Sequence, residues 1–263
     1  MPDKTPSPYP ILNAVYDTYT VPGQQCALAI MCKAPRPGKV KTRLAPPLTL
    51  DQSAALNICF LRDTAANIAT VSGAQGILCY TPVGDEEAFT GIAPTGFLMI
   101  PQRGDTFDQR LLFAAQDLLM VGYTSVCLID SDSPTIPHEA LKQAVEELNK
   151  PGDRVVLGGS DDGGYYLIGL KQAHKEPFER ITWSTSTVFE ETKQRCAEAD
   201  IPLVELPLWY DVDDGATLRT LAAELLENQR PPFAKLDGYN ATETRAYLQK
   251  LSATNNPPWK LTS

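Results

Sequence analysis

Histidine is scarce in this chain, with two copies in 263 residues. His138 and His174 stand in no metal-ligand or triad spacing, and both read as surface residues. Histidine-based zinc or Ser-His-Asp chemistry therefore has no support. No G-x-S-x-G elbow is present either. The six cysteines, Cys26, Cys32, Cys59, Cys79, Cys127 and Cys196, include no C-x-x-C pair. That removes a zinc ribbon or thioredoxin-like motif, and most of these cysteines lie in apolar runs as reduced core residues. No apolar run approaches the roughly 18 residues that a membrane span needs. The start, M-P-D-K-T-P-S-P-Y-P, lacks the charged-then-apolar pattern of a secretion signal, so the expected location is the cytoplasm. Cations are outnumbered: 23 Lys and Arg against 32 Asp and Glu give a net charge of −9. Nucleic acid is excluded as a partner on this ground, because it calls for a broad basic surface.

Against this acidic background one stretch stands out. Ala27 to Cys32 is uncharged and apolar, the pattern of a strand buried on both faces and placed inside a sheet. Directly after it come Lys33, Arg36, Lys39, Lys41 and Arg43, with no acid among them, and Pro35, Pro37 and Gly38 break regular structure. In open α/β sheets, ligands bind outside the carboxyl ends of strands. A basic loop there suggests a phosphate site, with a plain solvated loop as the alternative. It is not a Walker A loop: Lys33 stands where the first glycine belongs and Val40 where Ser or Thr belongs. G-x-G-x-x-G is also missing, so charge must do the holding. As loop cations, Lys41 and Arg43 are expected to matter far more to binding than to the fold.

The rest of the chain alternates strands and helices. Thr49 and Gln52 form a capping box, followed by an apolar helical stripe at Ala54, Ile58, Leu61, Ala65 and Ile68. Strands are expected at 76–80, 97–100, 125–129, 154–157, 165–170 and 202–206. Helices are expected up to Met120, from Pro137 (at the first helical position) to 149, up to 199, and over 216–228. This is an α/β three-layer sandwich with a mostly parallel sheet. No helix separates 154–157 from 165–170, so that pair is an antiparallel hairpin and the sheet is mixed. The organisation reads as an extended arm over 1–25, one domain over 26–230, and a tail over 231–263 with one helix.

Four acidic or hydroxylated stretches follow strands. Asp130 and Asp132 end a buried strand, where a carboxylate could share a divalent cation with phosphates or simply cap the next helix. Asp161-Asp162-Gly163-Gly164-Tyr165 is either a ligand loop or an ordinary turn. Trp183 to Thr187 precedes a helix and could receive an anion or only cap. Asp211 and Asp213 could add a second metal ligand or cap the last helix of the domain.

As a set, K-A-P-R-P-G-K-V-K-T-R-L, G-D-T-F-D-Q-R, D-S-D-S-P, D-G-G-Y-Y-L-I-G-L, W-S-T-S-T-V and D-V-D span about 27 to 220. In that order they resemble the GT-A-like glycosyltransferases, a formerly uncharacterised family associated with radical-SAM genes and arsenosugars. That family is similar to 2-phospholactate guanylyltransferase and the molybdenum-cofactor nucleotidyltransferases. The resemblance implies a nucleotide-diphospho-sugar transferase fold. It also implies that Gly38, Lys41 and Arg43, with Lys33 beside them, wrap donor phosphates. Asp132 with Pro134 matches the metal-binding D-x-P, and Asp213 the second acidic ligand, for Mg²⁺ or Mn²⁺. Asp214-Gly215 replaces the usual Thr-Pro after Asp213, and Asp130 stands where relatives carry Gly. Asp105 and Arg110 match the G-D-x-x-x-x-R element, taken here with the nucleotide site.

The expected function is a metal-dependent transfer from a nucleotide-activated donor to a small-molecule acceptor. Glycosyl transfer leads, with nucleotidyl transfer from an NTP and a non-catalytic nucleotide-sugar sensor as alternatives. Asp132, Lys41 and Arg43 would be catalytic through the donor diphosphate. The acceptor would lie over Asp162, Gly163, Gly164, Tyr165, Ser184 and Ser186.

Overall fold

The computed structural model describes residues 7–13, 25–253 and 259. Seven strands form one sheet: β1 (Cys26–Lys33), β2 (Ala74–Thr81), β3 (Leu98–Pro101), β4 (Ser125–Ile129), β5 (Val155–Ser160), β6 (Tyr165–Leu170) and β7 (Leu203–Trp209). Their order is β3-β2-β1-β4-β6-β5-β7. β6 runs antiparallel to both neighbours and every other pairing is parallel. The apolar β1 is interior, paired along its length with β2 on one side and with β4 on the other. The order reverses between β1 and β4, and this is where an open sheet opens its ligand crevice.

Helices α1 (Leu50–Ala69), α2 (Phe107–Val121), α3 (His138–Asn149), α4 (Val188–Glu198), α5 (Gly215–Glu227) and α6 (Thr242–Ser252) cover both faces. One core gathers Leu28 and Ile30 of β1 with Phe60, Leu141, Leu221 and Leu248, from α1, α3, α5 and α6. The other gathers Ala27 and Ala29 with Leu111, Leu118 and Cys196, from α2 and α4. Alternation along β1 thus sends Leu28 and Ile30 to one face and Ala27 and Ala29 to the other. All six cysteines are buried free thiols.

Several details differ from the sequence reading. Gly158 and Gly159, expected in a loop, stay in β5. A Cβ at either would run into the rings of Tyr166 or Phe189, so only glycine fits here, and the pairing register shifts at these two residues. β7 runs past Pro207, which an edge strand tolerates, and ends on the fully buried Trp209. Pro137 caps α3 rather than opening it. Neither histidine is a bare surface residue. His138 Nδ1 lies 3.0 Å from Asn67 Oδ1, across the α1–α3 contact, and His174 Nε2 lies 2.5 Å from Asp153 Oδ2.

Of the arm over 1–25, residues 1–6 and 14–24 lie outside the described residues. Residues 7–13 pack against β3: Leu12 N donates to Met99 O at 2.7 Å, and Met99 N donates to Pro10 O at 2.8 Å. This covers an otherwise open sheet edge. At the other end α6 docks on α1. The buried Asp63 carboxylate of α1 accepts from the first-turn N–H groups of Glu243 (3.0 Å) and Thr244 (2.7 Å). Asp63→Ala should therefore leave both donors unpaired and lower stability by about 1–3 kcal/mol. Urea denaturation checks this; an unchanged midpoint would show that the cap contributes nothing.

Candidate functional site

The loop after β1 is shaped by its backbone. Gly38 turns the chain at φ +73°, a conformation that glycine adopts without strain. Leu44 and Leu48 are buried and anchor the loop. Between Gly38 and Leu44, Lys41 is left-handed, at φ 46° and ψ 39°, which costs a non-glycine residue about 1–3 kcal/mol. The offset is visible at its ammonium. Nζ donates to Val212 O at 2.6 Å and to Asp213 Oδ1 at 2.9 Å, and lies 2.8 Å from Asp132 Oδ1. Three acceptors use all three donors, and the side chain is 4% exposed. Burial alone would lower its pKa, but the Asp132 and Asp213 carboxylates outweigh burial and hold it above the ordinary value. The expectation that Lys41 is a loosely placed loop cation is corrected here: it is a buried tie between strand ends.

Asp132 leaves the carboxyl end of β4, and Asp211 and Asp213 leave that of β7. The two ends are joined by Val212 N donating to Asp132 O at 2.9 Å. Asp214 starts α5. Its carboxylate accepts from Ala216 N and Thr217 N, which holds its pKa below the usual carboxylate range. Thr217 Oγ1 in turn accepts from Asp213 N at 2.9 Å and fixes that residue. Asp130 accepts from Ser133 Oγ at 2.7 Å. Burial, followed by the charges of Asp132 and Asp211, pushes its carboxyl well up. Asp211 accepts from Ser160 Oγ at 3.1 Å. Burial, then Asp162 and Asp213, raise its carboxyl to about 6.

Two cavities meet at this cluster. The first, about 270 Å³, is lined by Lys33, Lys39, Val40, Lys41, Thr42, Arg43, Asn57, Ser131, Asp132 and Asp213. Lys33 and Lys39 have no acidic partner among the described residues. Arg43 is three-quarters exposed and 3.8 Å from Asp213 Oδ2. Arg36 turns away to pair with Asp85 at 2.6 Å. Asn57, buried on α1, carried no signal in the sequence beyond a polar residue inside an apolar stripe.

The second cavity, about 480 Å³, shares Arg43, Asp132 and Asp213 with the first. It adds Asp130, Asp162, Gly164, Tyr165, Asp211 and the Trp183–Ser186 segment. Gly163 supports it from behind: at φ +92° it packs so closely on Ser186 that a Cβ would lie 2.1 Å from the Ser186 carbonyl oxygen. Asp162 Oδ1 accepts from Gly164 N at 2.8 Å and closes the turn. Phe107, which opens α2, stacks edge-on with Trp183 at 4.9 Å, and Tyr165 lies 6.3 Å from Trp183. Phe107 was missed in the sequence, where it reads only as a helical apolar residue; it is 53% exposed.

Asp105 and Arg110 line neither cavity. Arg110 Nε donates to Gly104 O at 3.2 Å and Asp105 N donates to Gln109 Oε1 at 3.0 Å, so both shape the turn that leads into α2. The start of α4 is met by backbone carbonyls: Phe189 N donates to Gly163 O at 2.8 Å, and Glu191 pins the preceding loop by accepting from Thr187 Oγ1 and Thr182 N. Gly38 lies outside the cavity lining as well and acts through the turn it makes.

Among the described residues, no group of three or more His, Cys, Asp and Glu side chains is gathered as a metal cluster. Asp132 and Asp213 do converge on one point, now held by the Lys41 ammonium. Two carboxylates facing a basic cavity fit a hard cation that takes its remaining ligands from phosphate and water.

A mixed, mostly parallel sheet between helical layers, with a basic cavity at its strand-order reversal, is the fold of the nucleotide-diphospho-sugar transferases. A candidate nucleotide-diphospho-sugar transferase from Desulfovibrio desulfuricans G20 is 28% identical, with 88% of this chain and 96% of that chain covered and a TM-score of 0.74. CMP:2-keto-3-deoxy-manno-octonic acid synthetase, solved with CTP, shares the fold at 11% identity, with 78% of this chain and 100% of that chain covered and a TM-score of 0.51. Residues 64–185 match the family model described as an uncharacterized protein conserved in bacteria (DUF2064). That match includes Asp132 and the 161–165 turn but neither Lys41 nor Asp213. No curated protein matches the chain. No helix among the described residues is long and apolar enough to cross a membrane.

The clasp separates two cations that the sequence treats alike. Lys41→Ala removes the partner of two carboxylates and should cost about 1–3 kcal/mol of stability. Arg43→Ala, at an exposed position, should stay within about 0.5 kcal/mol of the parent. Parallel denaturation curves measure the difference, and equal midpoints would refute it.

Proposed function

We propose that the chain is a nucleotide-dependent transferase that holds its donor phosphates in the smaller, basic cavity and its acceptor in the larger one. A single observation carries this reading: a cavity rich in cations and a cavity of carboxylates, hydroxyls and aromatic rings meet at Asp132, Asp213 and Arg43. A reacting bond that spans that junction would have phosphate on one side and acceptor on the other. Glycosyl transfer is the preferred reaction. An acceptor hydroxyl attacks the anomeric carbon, the bond from that carbon to the diphosphate oxygen breaks, and the nucleoside diphosphate leaves with the electron pair. The acceptor proton passes to a carboxylate of the larger cavity; Asp162 and Asp211 line it without bonding Lys41.

Lys33, Lys39 and Arg43 would neutralise the donor phosphates, and charge-assisted contacts of this kind are the strong ones. Asp132 and Asp213 would hold Mg²⁺ or Mn²⁺, which when bound supplies Lewis-acid stabilisation of the leaving phosphate oxygens. Lys41 keeps these two carboxylates together. One observation favours a second reading, nucleotidyl transfer with release of pyrophosphate. Lys33 and Lys39, without an acidic partner among the described residues, and the exposed Arg43 in one small cavity suit a triphosphate at least as well as a diphosphate.

The decisive measurement is product analysis of the chain incubated with NDP-sugars or NTPs, divalent cation and a panel of small hydroxylated acceptors. Release of nucleoside diphosphate supports glycosyl transfer, and release of pyrophosphate supports the second reading. Saturable nucleotide binding with no turnover of any donor would support a sensor instead. Asp132→Asn keeps the residue's shape and removes its charge. It should abolish metal-dependent turnover, while Lys39→Ala should weaken nucleotide binding by about one to two decades. Wild-type turnover in Asp132→Asn would take that residue out of the site.

A further inference from the structure

The smaller cavity contains one polar group that phosphate recognition does not need. Asn57 lies in α1 among core residues, between Leu56 and Phe60, and is 3% exposed. Its neighbours in the helix face apolar packing, yet its side chain forms part of the cavity wall. Among the described residues nothing hydrogen-bonds its amide. Buried amides are almost always paired within the protein, and one that opens into a cavity without a protein partner keeps its donor and acceptor for a ligand. Lys33, Lys39 and Arg43 already supply the charge that phosphates call for. An uncharged group that offers a donor and an acceptor side by side matches a different partner. Such paired donors and acceptors lie along the edges of nucleobases, where Asn makes bidentate contacts.

We propose that the Asn57 amide hydrogen-bonds the heterocyclic base of the donor nucleotide and so gives the basic cavity its base preference. This rests on the donor assignment above and deepens it. The carboxamide supplies selectivity that the cations cannot, because their attraction to phosphate is the same for every base.

Isothermal titration of the full chain tests it. ATP, GTP, CTP and UTP are compared with inorganic tripolyphosphate, in Mg²⁺, for the parent and for Asn57→Ala. The parent should prefer one base over the others and over tripolyphosphate. Asn57→Ala should lose about three- to tenfold in affinity for the preferred nucleotide, the range of one neutral hydrogen bond, and its spread across bases should collapse. Its affinity for tripolyphosphate should not change. If Asn57→Ala does not fold, Asn57→Leu, which keeps the size and loses the amide without adding charge, replaces it in the same comparison. Equal loss for nucleotide and tripolyphosphate would mean a phosphate contact and overturn the proposal. Unchanged base preference would overturn it too. A parent that binds neither nucleotide nor tripolyphosphate would instead refute the donor assignment itself.

Discussion

The site depends on one buried ammonium. Lys41 reaches from the loop after β1 to carboxylates at the ends of β4 and β7, and its three donors meet Asp132, Asp213 and the Val212 carbonyl. Four aspartates crowd this corner of the sheet. Burial first, and then the neighbouring like charges, push the carboxyls of Asp130 and Asp211 up. The Lys41 charge makes the crowding tolerable, and its strained backbone is held because both carboxylates and a carbonyl converge on it. The same tie fixes how far apart the two cavities lie.

The reversed strand β6 gives the edge its second half. In a fully parallel sheet each strand would bring one carboxyl end to the crevice. Because β6 runs the other way, the turn between β5 and β6 rises at that same edge and places Asp162, Gly164 and Tyr165 beside the strand-end acids. Gly163 then lets the turn lie directly on the Ser186 backbone, which brings the Trp183–Ser186 segment over the cavity. The same turn reaches the start of α4, where Phe189 N donates to Gly163 O at 2.8 Å.

Much of the fold was legible in the residues. The uncharged run at Ala27–Cys32 marked an interior strand, Thr49 and Gln52 marked a helix start that forms as read, and the missing helix between 157 and 165 marked the antiparallel hairpin. These signals are local: burial on both faces, capping chemistry and connection length each act within a few residues. Where the reading slipped, a distant contact had intervened. Tyr166 and Phe189 keep Gly158 and Gly159 in a strand, and Asn67 and Asp153 engage the two histidines.

The candidate site divides along the same line. By itself the sequence determined which strand ends carry cations and which carry acids, because strands in one sheet present their carboxyl ends together. Only the tertiary structure decided which charges meet. It paired Lys41 with Asp132 and Asp213 across more than 80 positions of chain, sent Arg36 to Asp85, left Lys33 and Lys39 without an acidic partner among the described residues, and turned Asp105 and Arg110 into supports of a turn. It also left the Asn57 amide facing a cavity instead of a partner. Charge in a sequence has no direction, and direction comes from the packing of the elements that carry it.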